Sequence, residues 1–207
     1  MYRIVLKYGC GMAMGRPRHF DADAALERAM QVFWRKGYEG ASLSDLTEAM
    51  GINRPSLYAA FGNKEALFEK ALRRYAEGPG GYSRAALAAP NAREVAARML
   101  QGAVDVQSDS RTPKGCLMVH SGLASGTEAE PVRKFAIARR REGEAALRKR
   151  LERAKAEGDL APDANPAALA RFISAVIYGM AVQAASGAGR KELETIADQA
   201  MRAWPSA

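Results

Sequence analysis

Apolar side chains recur at helical spacing along most of the chain, and glycine, proline and N-cap residues separate the runs. In the first part of the chain this pattern predicts helices over about residues 21–36, 44–50, 54–61 and 64–76. After a break it predicts helices over about residues 91–108, 115–125, 131–157, 166–186 and 191–204. The chain is therefore predicted to be all-α, with about nine helices.

The stretch that follows the first helix holds the clearest helix-end signals. Ser42 with Asp45 forms a capping-box pattern, and Gly51 is placed to end the next helix in the left-handed conformation. Asn53 then caps another short helix. The pattern predicts two short helices joined by a tight turn.

The second of these short helices has two different faces. Leu57 and Phe61 lie four residues apart and are predicted to point inward. The outward residues are small, polar or cationic: Arg54, Ser56, Tyr58, Ala59 and Ala60. A short helix with such an outer face fits the major groove of DNA.

Five short segments around this pair of helices keep a fixed spacing: GY at 37–38, SL at 42–43, AMGI at 49–52, LYAAF at 57–61 and KEALF at 64–68. Together they resemble the DNA-binding domain of TetR-type (TetR/AcrR) one-component transcriptional regulators, over about the first third of the chain. The resemblance implies a three-helix helix-turn-helix domain with a linking fourth helix at 14–76. It also implies a larger helical effector-binding and dimerisation domain at 77–207. Residues 1–13 are expected to be a flexible extension or the product of an upstream start.

The resemblance also implies which residues contact DNA. Ser42 and Ser44 would meet phosphates, and Tyr58 and Lys64 would grip them. Arg54, Pro55 and Ser56 would face bases, and a guanidinium at Arg54 can hold O6 and N7 of guanine together. Each position also has a structural interpretation: Ser42 as a cap, Tyr58 as packing and Lys64 as a solvated helix start.

Arg16 and Arg18 flank Pro17 in a stiff basic arm before the first helix. Such an arm can lie in the minor groove or on the phosphates. The alternative is a tail whose charge is incidental. We favour the DNA role because the arm adjoins the predicted reading helices.

The second region is predicted to carry the ligand and the dimer contacts. Gly78 to Gly81 should end the fourth helix in a hinge-like connection. The last two helices resemble the dimer bundle of the family, with a self-contained monomer core as the alternative. Size and position make five residues pocket candidates, although core packing explains each as well: Met99, Leu117, His120, Phe135 and Tyr178.

These features favour a dimeric repressor that a small molecule releases from a pseudo-palindromic double-stranded operator. Cys116 and His120, four residues apart, suggest an alternative metal- or thiol-responsive regulator, but no third ligand is evident and no metal site is assigned. An enzyme is disfavoured because no catalytic triad, metal-ligand spacing or phosphate loop is readable. An architectural DNA binder without an effector is the third possibility. No cofactor is expected besides an unknown small-molecule effector.

Composition supports this interpretation without deciding it. The chain has 207 residues, 48% of them hydrophobic, and its net charge of +8 favours an anionic partner. Two cysteines do not make a disulfide framework, which favours a cytoplasmic, nucleoid-associated protein. The sequence suggests no apolar run of the ~18 residues that a membrane span requires. The basic helix at 131–157 is expected to be solvated, with an inward stripe of Phe135, Ala138, Ala145 and Leu151.

Overall fold

The computed structural model describes residues 20–123 and 126–205, and the described part is helical without strands. Arg16, Arg18 and the expected extension at 1–13 lie outside the described residues. The helices are α1 (Ala22–Gly40), α2 (Leu43–Met50), α3 (Arg54–Phe61), α4 (Lys64–Glu77), α5 (Tyr82–Leu87), α6 (Ala92–Ser108), α7 (Leu117–Ser121), α8 (Glu130–Ala156), α9 (Pro166–Ala185) and α10 (Arg190–Arg202). Short 3₁₀ turns occupy Pro79–Gly81 and Thr127–Ala129. The all-α prediction is confirmed.

The helix ends lie where the capping residues predict them. The Ser42 hydroxyl oxygen accepts a hydrogen bond from the Asp45 N–H (3.0 Å), and the Asp45 carboxylate accepts one from the Ser42 N–H (2.9 Å). Gly51 has φ 69° and ψ 30°, the left-handed conformation that glycine adopts at little cost. The Asn53 carboxamide accepts a hydrogen bond from the Ser56 N–H at 2.9 Å. These local contacts fix where α2 and α3 begin and where α2 ends.

The connection after α4 differs from the hinge that its glycines suggest. Beyond the 3₁₀ turn the chain forms α5, a short helix absent from the sequence prediction. The Tyr82 ring at its start packs directly against Gly102 of α6, where a side chain would collide with it. Arg150 of α8 donates hydrogen bonds to the carbonyls of Leu87 and Ala89, at 3.2 and 2.9 Å. These contacts fix the segment to α6 and α8. The glycines interrupt the helical structure only between α4 and α5.

Two apolar clusters form the core. One joins α5, α6, the second half of α8, α9 and α10. The other is built on α1–α4, with the Phe33 and Phe68 rings at its centre in edge contact at 4.8 Å. This second cluster also takes in Leu117, Val132 and Ala136, which come from beyond residue 77. Helices α1–α4 thus share their core with α7 and the start of α8.

The buried side of α8 differs from the predicted stripe. Leu151 is buried and Phe135 half-buried, as expected, but Ala138 and Ala145 are exposed. Arg150, expected in the solvated face, is only 6% exposed, because its guanidinium reaches the carbonyls at the end of α5. The long helix contacts different neighbours along its length, so one straight stripe does not describe it.

The sequence reading of apolar runs is corrected at α9. By length and composition this 20-residue helix is apolar enough to cross a membrane. In the structure it contacts α6, α8 and α10, and 39% of its most apolar stretch is buried. Phe172 and Val182 on its outer side remain 39% and 45% exposed. A core helix with one uncovered apolar side accounts for the same composition.

Candidate nucleic-acid interface

The turn between α2 and α3 is a closely hydrogen-bonded helix-turn-helix. The Gly51 N–H donates to the Glu48 carbonyl and the Ile52 N–H to the Thr47 carbonyl, both at 3.1 Å. Four apolar side chains hold the pair against α1 and α4 and are almost completely buried: Leu46, Met50, Leu57 and Phe61. Because the inner faces are fixed in this way, the outer face of α3 has a fixed orientation on the domain surface.

The outer face of α3 is open and small. Arg54, Pro55, Ala59 and Ala60 are exposed, and the Tyr58 ring is 48% exposed. Small side chains let a helix backbone approach the floor of a groove, while a tyrosine at the edge can reach the phosphates. Ser56 of the same helix is half-buried. This exposed face of α3 is therefore suited to enter the major groove of DNA.

Two of the predicted DNA-contact residues touch each other across the turn. The Arg54 guanidinium donates a hydrogen bond from Nη2 to the Ser44 hydroxyl at 3.1 Å. This contact brings the start of α2 and the start of α3 to one surface. Ser42 is exposed beside them, and its oxygen accepts from the Asp45 N–H, so the hydroxyl proton can still be donated to a phosphate.

Lys64, at the start of α4, lies over an aromatic ring. Its ammonium is 4.5 Å from the centroid of the Tyr38 ring, a cation–π distance. The Tyr38 ring in turn packs edge-on against Phe68 at 5.2 Å. Tyr38 reaches this place because Gly37 breaks α1 with φ 70° and ψ 177°. Sequence reasoning recognised the Gly37-Tyr38 motif but not this contact with Lys64.

An ion pair supports the cap of α2. The Lys36 ammonium lies 2.7 Å from an Asp45 carboxylate oxygen. The hydrogen bond from Lys36, followed by those from the Ser42 backbone and hydroxyl, lowers the pKa of Asp45 to about 2. The carboxylate therefore keeps its charge at the N-terminus of α2 throughout the neutral and mildly acidic range.

A cavity of about 350 Å³ lies between α4, α5, α6, α7, α8 and α9, within the size range of small-molecule pockets. Its walls are mainly aromatic and apolar, and Arg140 is one of three arginines that line it. The lining includes Tyr75, Tyr82, Met99, Cys116, Arg140 and Tyr178. Met99 and Tyr178 are two of the five pocket candidates that the sequence suggested. No ligand contact of theirs has been tested, so their role stays a prediction.

The structure places the other three pocket candidates elsewhere. Leu117 is buried in the core of the reading helices, because α7 begins there and turns the side chain towards α1. Phe135 lies between two guanidinium groups, with Arg73 at 5.0 Å and Arg139 at 5.4 Å from its ring centroid. His120 lines a separate surface groove with residues 36–40. None of these three residues lines the cavity, and a ligand contact at any of them stays a prediction.

Cys116 and His120 do not form a common site. Cys116 is the N-cap residue of α7 with extended backbone and lines the cavity, whereas His120 lies on the groove side. Burial raises the pKa of the Cys116 thiol and lowers that of His120. Among the described residues no group of three His, Cys, Asp or Glu could hold a metal ion. The metal- or thiol-responsive alternative is therefore not favoured.

The cavity wall is joined to α1 by a junction that the sequence did not reveal. The buried Trp34 indole N–H donates to the Gly115 carbonyl at 3.1 Å. The Trp34 ring meets the Tyr75 ring edge-on at 4.8 Å, and the Tyr75 hydroxyl donates to the Cys116 sulfur at 3.3 Å. The polar partner of Trp34 lies 81 positions away, so no local pattern could identify it.

The fold and surface define a class of protein: a helix-turn-helix DNA-binding transcriptional regulator with a ligand-sized cavity behind its reading helices. The family model for bacterial regulatory proteins of the tetR family matches residues 25–71. The model for the tetracyclin repressor-like C-terminal domain matches residues 95–203. The chain belongs to the TetR family.

Relatives of known name agree with this assignment. The HTH-type transcriptional repressor ComR of Escherichia coli K12 is 34% identical over 193 residues, 92% of each chain. The repressor BdcR of the same organism is 46% identical over 61 residues, 30% of this chain and 31% of BdcR. A cysteine mutant of the regulator CifR, solved with 26-bp operator DNA, is 47% identical with a TM-score of 0.88, covering 92% of this chain and 100% of CifR.

The lowered pKa of Asp45 predicts a defined pH dependence of stability. Because the folded-state pKa lies below the unfolded value near 4, this carboxylate stabilises the fold above that value. The contribution should be lost as the pH falls from about 4 to about 2. NMR titration of the Asp45 carboxyl carbon should give a pKa of about 2, and Lys36→Met should raise it. A midpoint near 4 in the wild-type protein would contradict the capping ion pair.

Proposed function

We propose that the protein is a dimeric repressor that binds a pseudo-palindromic operator through α3 and leaves it when a small molecule fills the cavity. The observation that carries the proposal is the geometry of α4. This helix starts at Lys64, directly after α3, and reaches the cavity wall at Tyr75 and Ala76. With 14 residues it spans about 21 Å, so one rigid element connects the reading helix with the ligand site.

The DNA side of the proposal rests on the outer face of α3. Arg54 would read bases, since its guanidinium can hold two acceptors on guanine. Tyr58 and Lys64 would hold phosphates on either side, and Ser42 and Ser44 would anchor the start of α2. Pro55 and Ser56 would lie against the groove floor. CifR, whose structure includes operator DNA, lends support because this chain resembles it over its whole length.

The dimer side rests on the uncovered surface of α9. Five of its exposed residues form an uncharged stripe at helical spacing, beside Arg171, which pairs with Glu144 of α8. The stripe consists of Ala168, Phe172, Ala175, Gly179 and Val182. An apolar groove formed with α10 continues this stripe through Val176 and Ile196. Burying the two outer helices against those of a second copy would cover it. A symmetric pair would present two copies of α3 to half-sites about 34–36 Å apart, or a multiple of that distance.

The release step follows from the junction between the cavity and α1. A ligand that displaces Tyr75 or Cys116 also disturbs Trp34, because these side chains are in direct contact. The reading helices share a core with α7 and α8, so they would move with that wall. A ligand with higher affinity for the displaced arrangement shifts the population towards it. An architectural DNA binder without an effector would not require the cavity. A repressor of this kind would act in the cytoplasm, where the operator DNA is.

Removing either of two exposed DNA-contact side chains on α3 should weaken operator binding without unfolding the domain. Arg54→Ala and Tyr58→Ala should each lower affinity about 10- to 100-fold, since each deletes a polar contact to DNA at an exposed position. Fluorescence anisotropy with the intergenic DNA that flanks the gene measures the change. Arg93→Ala, exposed at the start of α6, is the matched control and should bind normally. Wild-type affinity in both α3 variants would show that DNA binds elsewhere.

A charge placed in the α9 stripe should separate the protomers. A Cβ added at the exposed Gly179 meets no atom within 4 Å in the protomer, so Gly179→Arg can direct its side chain into solvent without disturbing the fold. It should give a monomer by light scattering and reduce operator affinity at least about 10-fold, because one half-site alone is held. Ala145→Arg, on the exposed side of α8, should remain dimeric. A dimeric Gly179→Arg variant would place the interface on another face.

A further inference from the structure

Among the described residues, two arginines that line the cavity form no ion pair: Arg84, which is exposed to solvent, and Arg140, which is half-buried. Arg140 lines the cavity, and its Nε is buried without a hydrogen-bond partner. Across residues 20–123 and 126–205, no carboxylate forms an ion pair with it. Its guanidinium instead lies 5.3 Å from the centroid of the Tyr178 ring and packs against Gly122. A buried N–H of a charged guanidinium without an acceptor is costly, so the Nε of Arg140 calls for an anionic partner.

The neighbouring carboxylates are already engaged by other arginines. Glu144, on the cavity wall one turn from Arg140, accepts hydrogen bonds from Arg171 of α9 at 3.2 Å. Glu142 pairs with Arg139 at 2.7 Å. The charges that line the cavity are three arginines, Arg84, Arg139 and Arg140, against Glu144 alone. The electrostatics of the cavity therefore favour an anion and oppose an amine.

The remaining wall suits a flat apolar body. Tyr75, Tyr82, Met99 and Ile177 line it, and aromatic rings and methionine adapt well to planar ligands. Burial raises the pKa values of the Tyr82 and Tyr178 hydroxyls, so both stay protonated and able to donate. A volume of about 350 Å³ accepts one or two rings with a short chain. A phosphate would require more donors than this mainly apolar wall provides.

We propose that the effector is a small organic carboxylate with one or two apolar rings, whose carboxylate pairs with Arg140 while its ring packs against Tyr75, Tyr82 and Tyr178. The proposal rests on the function proposed above, because it assigns the chemical class of the ligand of the same cavity. An arginine guanidinium stays protonated in proteins and presents a planar fork that matches a carboxylate. Burial of the ring contributes affinity, and the ion pair with Arg140 makes the site selective for an anionic ligand.

The test compares three probes of one shape and different charge: 3-phenylpropanoate, 3-phenylpropanamide and 3-phenylpropan-1-amine. Isothermal titration of the full-length protein should give the carboxylate at least about a 10-fold advantage over the amide, as expected for a hydrogen-bonded ion pair. The amine should bind more weakly than the amide. Equal affinities, or no binding by any probe, would overturn the proposal.

Variants locate the preference on Arg140. Arg140→Gln should remove the advantage of the carboxylate while amide binding changes less than about twofold, because the apolar wall is intact. Arg141→Gln, exposed on the next position of α8, is the control and should keep the wild-type preference. Thermal melting monitors folding, and Arg140→Gln should melt near the wild-type temperature since no ion pair is lost. A carboxylate preference that survives in Arg140→Gln would also contradict the proposal.

A parallel operator-binding measurement separates this proposal from the function on which it rests. Carboxylate binding that depends on Arg140 but leaves the operator complex intact would support the ligand class and contradict ligand-driven release. Release of the operator by the amide and the carboxylate at equal concentrations would support release and contradict the ligand class.

Discussion

The link between helices α1–α4 and the cavity depends on a buried contact between distant parts of the chain: the Trp34 indole N–H donates a hydrogen bond to the Gly115 carbonyl. A buried carbonyl without a partner is costly, so this bond fixes the start of the cavity wall to α1. The Tyr75 ring packs edge-on against the indole and carries its hydroxyl to Cys116. Three elements, α1, α4 and the N-cap of α7, therefore meet in one closely packed place. These contacts connect the DNA-binding helices to the cavity wall.

This junction explains why the two predicted domains share a core. The division at residue 77 follows the glycines after α4, yet Leu117, Val132 and Ala136 pack among α1–α4. A rearrangement of the cavity wall reaches the DNA-facing helices through packed side chains, which have few intermediate arrangements. Arg150 and Gly102 hold α5 on the opposite wall, so the cavity is bounded by fixed elements on both sides.

Local chemistry determined what the sequence could predict. Caps such as Ser42, Asn53 and Gly51 act within a few residues, so α2 and α3 could be placed directly from the letters. The outer face of α3 followed from periodicity alone. The cavity could not be found in this way, because six different elements contribute to it and size alone suggested Leu117 and Phe135, which do not line it. Arg140 resembles its neighbours in a basic helix, and only the surrounding structure reveals that it is unpaired.

In the proposed repressor, occupation of the cavity changes the distance between the DNA-binding helices of the two protomers. Double electron–electron resonance tests this change on a Cys10→Ser, Cys116→Ser, Glu48→Cys protein, in which the spin label is confined to the exposed side of α2 in both protomers. Serine at position 116 keeps an acceptor for the Tyr75 hydroxyl. The same labels are placed in a Ser174→Phe variant, whose new ring occupies the cavity. A folded, dimeric Ser174→Phe protein should show a shifted distance distribution and weaker operator binding. Identical distributions with the cavity occupied would contradict the proposed change of distance.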